Sequence, residues 1–430
     1  MARKISEPNP ALFVNSPWWL AFAAWLNPQR LRMQAMILMV CLWGSCAVDF
    51  STSGLMDRAG NIKFQDFLQF YISGRLIAQE RTVELYDQRI AWTELHNIVR
   101  QPTRVILPTV YGPQVGLFFR PLVGLSFFPA AGIWVGISVV LYLGCVLWLW
   151  KSCANLRPYA AIVALATGAF PPLFHFFVRG QISVLLLVCF TLCFLAFRSA
   201  KNLLAGMALG LLVFKPQFLV AIPLVLLLAK AWKPLLGLLI SATTQIGLTW
   251  LYFGTSIMRS YFDMLLHVSR WIGVAELAQA QAQMHSLRSF WLLLAPWHSV
   301  AFLLYALSSI FVLALAAASW RSHGALALRF SSLIFAAVLI NPHLFVYDLL
   351  VLAPALLLTV DWALGRADHP LCATIKVLAY LSFLLPLLGP LTVWTHFQLS
   401  VPVFVALQIA LWISLRDAKP GYEGWAIETA

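Results

Sequence analysis

Residues 63–75 read KFQDFLQFYISGR and lie at the centre of a segment, 49–120, that is richer in polar residues than the rest of the chain. Its apolar and aromatic side chains follow the spacing of one helix face: Phe64, Phe67, Leu68 and Tyr71. Asp66 falls inside this predicted helix, close to the boundary of a membrane. The pattern therefore predicts a short amphipathic helix that carries one carboxylate at the membrane edge.

The composition around this segment is that of a membrane protein. Of the 430 residues, 61% are hydrophobic and 10% charged, whereas soluble proteins carry about 25% charged residues. The formal net charge is +13, but the positive residues stand between apolar segments, which indicates membrane topology and attraction to anionic lipid headgroups. We expect an all-α integral membrane protein and no nucleic-acid partner.

Apolar segments follow one another along the chain and predict about twelve transmembrane spans. They cover 33–51, 124–150, 158–177, 181–197, 202–214, 216–229, 233–253, 290–319, 327–340, 345–361, 371–388 and 401–415. The pair 202–214 and 216–229 is too short to cross separately and meets at Lys215-Pro216-Gln217, which predicts a broken helix. Two oblique crossings are favoured over a re-entrant pair, because the charges then alternate correctly.

Lysine and arginine fall mainly on one set of connections. If the N-terminus lies inside, the short outer connections carry only Arg179 and Lys215. The positive-inside rule then places both termini on the cytoplasmic side of the membrane. We expect this membrane to be a bacterial plasma (inner) membrane. Two large loops, 52–123 and 254–289, then face outward. The predicted divisions are a cytoplasmic N-terminus with an interfacial helix over 1–32, a transmembrane catalytic domain over 33–415 and a cytoplasmic tail over 416–430.

Polar residues gather at the predicted outer face. Ionisable residues at membrane depth cost about 2.5–3.5 kcal/mol each and persist where they face a cavity or a ligand. The cluster has one well-placed carboxylate and several cations, and no metal-binding motif, so neither a metal nor another cofactor is predicted. A lipid monophosphate sugar needs only one or two cations to stabilise its departing phosphate, and that chemistry fits these residues.

Several short motifs are distributed over 49–360, in an order that places them on this one face. They are Asp66-Phe67-x-x-Phe70-Tyr71-x-x-Gly74-Arg75, Leu85-Tyr86-Asp87, Tyr111-x-Pro113, Pro121-Leu122, Gly180-Gln181-Ile182-Ser183, Lys215-Pro216-Gln217 and Asn341-Pro342-His343. The set resembles glycosyltransferase family 87, multi-pass enzymes of the GT-C superfamily. The resemblance implies a GT-C-like helical bundle, a polyprenyl-phosphate sugar donor and a lipid-linked or glycan acceptor. It implies mannose as the sugar; glucose, arabinose or another pentose stays open.

The same resemblance implies that Asp66 is the general base, because the family places an aspartate with that role in the first outer loop. Such a base removes the proton of an acceptor hydroxyl while the oxygen attacks the anomeric carbon from the face opposite the phosphate. The alternative is a surface acid paired to Lys63 or Arg75. Asp49 and Asp57 are rival bases nearer the first span.

Six further residues are candidates for binding the donor: Lys215, Arg288, His343, Gln181, Arg75 and Tyr111. The cations and His343 would contact the phosphate, Gln181 would hydrogen-bond sugar hydroxyls, and Tyr111 would stack on the sugar or the prenyl chain. Each also has a structural interpretation, such as a span-end cation, a loop salt bridge, a helix cap or an aromatic belt residue. Asp348 is expected to pair within the protein, with His343 as one candidate partner.

Two functions of other classes remain open from the sequence. A lipid or sugar-lipid transporter would explain many spans and broken helices, but it should carry ionisable groups near the bilayer midplane and often shows internal repeats. No repeat is evident, and the polar residues are one-sided. A scaffold without catalysis is the third possibility.

Overall fold

The computed structural model describes residues 17–101, 109–267 and 283–416, and within these ranges the regular structure is helical apart from two isolated β-bridges. The α-helices are Pro17–Trp25 (α1), Pro28–Phe50 (α2), Gln65–Ala78 (α3), Gln88–Val99 (α4), Pro113–Phe119 (α5), Phe127–Lys151 (α6), Ala160–Gly168 (α7), Pro171–Arg179 (α8), Ser183–Arg198 (α9), Asn202–Gly210 (α10), Ile222–Leu228 (α11), Trp232–His267 (α12), Leu287–Leu294 (α13), His298–Arg321 (α14), Leu326–Leu339 (α15), Leu352–Leu364 (α16), Cys372–Leu384 (α17), Thr392–Thr395 (α18) and Ser400–Arg416 (α19). Shorter 3-10 helices cover Thr82–Glu84, Arg120–Gly124, Arg157–Tyr159, Leu211–Phe214, Pro216–Leu219, Val346–Val351 and Leu385–Leu391.

Six helical segments in the described ranges are long and apolar enough to cross a membrane. They are Pro28–Phe50, Phe127–Lys151, Trp232–His267, His298–Arg321, Val346–Leu364 and Cys372–Thr395. A pair bent by 41°, Arg157–Gly168 with Pro171–Arg179, could form one more span. The remaining predicted segments correspond to shorter apolar helices. The chain is therefore an all-helical membrane protein, and the predicted count of about twelve spans is not established.

The two predicted loops contain helices of their own. The described residues of 52–123 include α3, α4 and α5, and these helices pack on the bundle. Helix α12 extends to His267, with a non-helical residue at Gly254, and so takes up the first part of the predicted loop 254–289. The predicted span 290–319 is divided between α13 and α14. The predicted interfacial stretch 12–26 is described only from residue 17 onward, as α1.

The centre of the bundle is formed by α15 and the segment Val346–Leu364. Every residue of α15 from Leu328 to Leu339 is buried, whereas the long helices expose apolar side chains such as Val40, Leu147 and Leu251. A lipid-facing helix can expose one apolar face, but a helix surrounded by others must be buried all round. The turn between α15 and this segment, 341–345, is therefore held between buried elements at one end of the bundle.

Helices α10 and α12 approach each other through glycine. A Cβ added at Gly206 would lie 1.9 Å from the carbonyl oxygen of Pro234, and one added at Gly237 would lie 2.0 Å from that of Leu203. Small residues let helix backbones meet directly in a membrane. The predicted broken helix is present, since α10 continues through the 3-10 turn Leu211–Phe214 and ends at Lys215. The glycine contact packs the first half of this broken helix against α12.

We predict that Gly206→Ala destabilises the protein by about 1–3 kcal/mol, because the added methyl group overpacks the contact with α12. The melting temperature of the purified protein in lipid nanodiscs is the measurement. Gly247→Ala is the matched control, since a Cβ at this α12 position meets nothing within 4 Å. A melting temperature for Gly206→Ala equal to that of the control would contradict the proposed packing.

Candidate active site

The first turn of α3 is docked directly onto the end of α8. Phe64 precedes α3 in the left-handed region, with φ of 54°, and its backbone N–H donates to the carbonyl oxygen of Val178 at 3.2 Å. Gly180 ends α8 with φ of +66°, and a Cβ there would lie 2.8 Å from Cβ of Phe67. Only glycine adopts this conformation and this close approach without strain. The contact brings Asp66 beside the residues that flank Gly180.

Asp66 is 7% exposed and has two different partners. Its Oδ2 accepts a hydrogen bond from Nε2 of Gln181 at 2.8 Å. Its Oδ1 lies 3.7 Å from Nη1 of Arg179, whose side chain is 34% exposed. Among the described residues, Oδ1 accepts no hydrogen bond. One carboxylate oxygen is therefore fixed, and the other has lone pairs available for a proton.

Gln181 is fully buried, and both the oxygen and the nitrogen of its amide have partners within the protein. Its Oε1 accepts from the hydroxyl of Tyr111 at 3.3 Å and from the backbone N–H of Ile182 at 3.2 Å. These donors fix the amide orientation, so that the NH2 group points to Asp66. Burial raises the pKa of Tyr111 well above 10, and the negative charges of Asp348 and Asp66 raise this pKa further. The Tyr111 hydroxyl therefore stays protonated and continues to donate.

A second charged pair lies on the other side of Tyr111. The Nζ of Lys215 forms an ion pair with Oδ1 of Asp348 and donates to Oγ of Ser183 at 3.1 Å, and that hydroxyl donates to Asp348 at 2.6 Å. The ammonium lies 5.7 Å from the ring centroid of Tyr111 and 5.3 Å from that of Tyr347. Asp348 thus pairs with Lys215 and Ser183. Lys215 has its charge balanced and is only 1% exposed.

The turn after α15 brings His343 and Arg288 together. Arg288 is exposed and its Nη1 donates to the carbonyl oxygen of Pro342 at 3.0 Å. Burial lowers the pKa of His343 below 6.5; the charge of Asp348 opposes this shift, whereas those of Lys215 and Arg288 add to it. His343 is therefore neutral at pH 7, with one ring nitrogen as a donor and one as an acceptor.

Arg75 lies apart from this network. It follows Asp66 by nine residues, which at about 100° per residue places it on the opposite face of α3. Its Nε lies 3.7 Å from Glu94 on α4. Lys63 donates to the carbonyl oxygens of Thr52 and Gly54. Asp66 is therefore paired to neither of the cations suggested by sequence proximity.

The rival base Asp57 accepts hydrogen bonds from the backbone and side chain of Asn61 within its own loop. No group of three His, Cys, Asp or Glu residues that could hold a metal ion occurs in the described part of the chain. Sequence reasoning did not select Arg179, Ser183 or Tyr347 for the site. The sequence could have indicated Arg179, because it is one of the two cations on the predicted short outer connections and precedes the Gly180-Gln181 motif.

We predict that Lys215→Met lowers the stability of the protein by about 3–5 kcal/mol, because it leaves Asp348 buried without a counter-charge. The double variant with Lys215→Met and Asp348→Leu should recover most of this loss, since neither charge then remains. Thermal unfolding of both variants in nanodiscs tests the pairing. Equal losses in the single and double variants would contradict it.

His285 is a buried histidine near this end of the bundle. It is 1% exposed, its Nδ1 lies 2.8 Å from Oγ of Ser400, and its Nε2 has no hydrogen-bond partner among the described residues. Burial, together with a smaller effect of the nearby His175, lowers its pKa from 6.5 to about 3. The folded protein therefore holds the neutral form.

Below pH 6.5 the unfolded chain binds a proton at His285 and the folded chain does not. The contribution of His285 to the free energy of unfolding is therefore complete above pH 6.5 and decreases as the pH falls. We predict a loss of about 2 kcal/mol from this residue between pH 7 and pH 5. Thermal unfolding at both pH values should show a smaller decline for His285→Gln. The exposed His298→Gln is the control, and equal declines in wild type and His285→Gln would refute the assignment.

Comparison with known proteins places the chain in a family. No curated protein and no solved structure matches it. The model of glycosyltransferase family 87 matches residues 109–342, which is more than half of the chain. The matched region contains Tyr111, Gln181, Lys215 and Arg288, while Asp66 lies upstream of it and His343 directly after it. This polytopic helical protein belongs to glycosyltransferase family 87.

Proposed function

We propose that this glycosyltransferase moves mannose from a polyprenyl-phosphate donor to a lipid-linked or glycan acceptor, with inversion, at the outer face of the plasma membrane. One observation carries the proposal. Asp66 is a buried carboxylate with one oxygen held by Gln181 and the other free of hydrogen bonds among the described residues, next to the partly exposed Arg179. A base must be oriented and must keep a lone pair for the proton, and Asp66 meets both conditions.

The proposed reaction is a single displacement. The acceptor hydroxyl oxygen forms a bond to the anomeric carbon, and its proton passes to Oδ1 of Asp66. The bond between the anomeric carbon and the phosphate oxygen breaks, and its electron pair stays on the phosphate. One base is sufficient, because a phosphate monoester is a good leaving group and needs positive charge more than a strong acid.

Arg179, Arg288 and His343 are the proposed contacts of the donor phosphate. Arg288 is exposed and Arg179 partly exposed, so both can exchange water for phosphate oxygens and form bidentate hydrogen bonds. Neutral His343 can donate one N–H. Lys215 is already balanced by Asp348. We assign it mainly to holding Tyr111 and Tyr347 in place, with direct phosphate contact requiring exchange of its carboxylate partner.

Gln181 and Tyr111 act as positioning residues in this scheme. The sequence suggested contacts to sugar hydroxyls and to the prenyl chain, but the amide of Gln181 is bonded to Asp66, Tyr111 and Ile182. We propose that the two residues hold the Asp66 carboxylate in its orientation. Membership of a glycosyltransferase family favours catalysis over the transporter and scaffold alternatives.

We predict that Asp66→Asn lowers the rate of sugar transfer at least about 100-fold, because the amide cannot accept the proton. The assay uses purified protein in nanodiscs with a panel of polyprenyl-phosphate sugars and membrane lipid extract, and mass spectrometry detects the products. Asp57→Asn is the control and should keep wild-type turnover.

Wild-type turnover by a well-folded Asp66→Asn variant would disprove the role of Asp66. The panel also tests the donor: a product formed from a pentose or glucose donor, and none from the mannose donor, would disprove mannose as the sugar. Transport of a labelled lipid without any transfer product would favour the transporter.

A further inference from the structure

A buried arginine lies at the end of the bundle opposite to Asp66. Arg329 stands in the first turn of α15 and is 4% exposed. Leu339, at the far end of the helix, is ten positions further along, about 15 Å at 1.5 Å per residue, and the turn with His343 follows. The surroundings of Arg329 are therefore independent of the candidate active site.

Two hydrogen-bond donors in this region lack acceptors. The guanidinium of Arg329 lies over the ring of Trp320, 5.2 Å from the ring centroid. Nε of Arg329 and Nε1 of Trp320 are both buried, and neither has a hydrogen-bond partner among the described residues. An unpaired buried donor costs about 1–3 kcal/mol, and more where it is charged. Two such donors on one stacked pair indicate that both side chains belong to a site for an acceptor that the described residues do not supply.

Within the described residues, the helices packed against α15 place no carboxylate to neutralise Arg329. Of the helices packed against α15, α11, α14 and α19 contain no acidic residue within their bounds. Helix α16 contains one, Asp361, whose Oδ1 accepts from the backbone N–H groups of Asn155 and Leu156. A buried guanidinium without a counter-charge is costly. The missing group is therefore an anion.

The surroundings favour a lipid headgroup as the source of this anion. Helix α14 exposes Leu307, Ile310 and Phe311, so it borders the lipid, and Trp320 lies near its C-terminal end. The exposed Arg321 comes next in the chain. The ring of Phe197 contacts Trp320 at a centroid distance of 5.1 Å and is followed by the exposed Arg198. Basic residues between membrane helices bind anionic headgroups.

We propose that Arg329 and Trp320 bind a phosphate oxygen of an anionic phospholipid. The N-terminus of α15 adds to the attraction, since Ala325 provides no side-chain cap and the helix dipole is positive there. The bound lipid neutralises the guanidinium and accepts both unpaired N–H groups. It acts as a structural ligand at the end of the bundle remote from catalysis.

The test uses the purified full-length protein in nanodiscs of phosphatidylcholine, with and without phosphatidylglycerol. We expect phosphatidylglycerol to raise the melting temperature and to be retained in native mass spectrometry. Arg329→Gln should reduce the retained lipid by roughly tenfold or more, as for loss of a hydrogen bond to a charged group. Lys201→Gln, which removes an exposed positive charge at the same end, should retain the lipid.

Trp320→Phe is a second variant that tests the lipid site if Arg329→Gln does not fold. It keeps the aromatic ring over the guanidinium and removes the indole N–H, and it should weaken lipid retention several-fold. Retention by Arg329→Gln or Trp320→Phe equal to that of wild type would overturn the site. Stabilisation by inorganic phosphate in neutral nanodiscs, with no effect of phosphatidylglycerol, would overturn the lipid as its source.

Discussion

The hydrogen bond from Gln181 to Asp66 joins two elements that are 115 residues apart in the chain, and the arrangement of the candidate active site depends on it. It forms because Gly180 permits the end of α8 to touch the first turn of α3. Both partners are buried, so water cannot replace the bond if one is lost. The bond also fixes which carboxylate oxygen remains available, as the proposed role of Asp66 as a base requires.

The two acids at this end of the bundle have opposite surroundings. Asp348 is bonded to Lys215 and Ser183 and is excluded from water, so its negative charge is balanced within the protein. Asp66 has a longer contact to an arginine that is partly in solvent. A close buried ion pair holds structure in place, whereas a loosely paired carboxylate can take part in proton transfer. Tyr111 lies between the two pairs and couples their positions.

Positive residues serve different purposes at the two ends of the bundle. At the Asp66 end Lys215 is paired with Asp348, Arg179 lies beside Asp66 and Arg288 is exposed. At the other end Arg329 is buried beside Trp320, with no acid near it among the described residues. The positive-inside rule counts these residues alike, because topology depends on their number near the membrane surface. Burial and pairing separate them by function, and only the packed structure reveals those properties.

Composition and periodicity determined that this chain is an all-helical membrane protein, because lipid requires long apolar helices whose backbone groups are satisfied internally. The order of short motifs was sufficient to suggest the family, and the resemblance made Asp66 the first candidate for the base. The sequence could not establish the number of spans, since several apolar segments fold into helices too short to cross alone. Length and hydropathy do not say whether a short helix crosses obliquely or is enclosed by others.

The tertiary structure alone decided the partners of the charged residues. Arg75 is close to Asp66 in the chain and lies on the opposite helix face, while Arg179 is distant in the chain and lies beside it. Lys215 meets Asp348 across 133 residues. Such pairings depend on which helix ends are packed together. A single sequence does not state which residues distant in the chain are in contact. The sequence gives the chemical type of each side chain, whereas the packing of the helices determines which side chains are in contact.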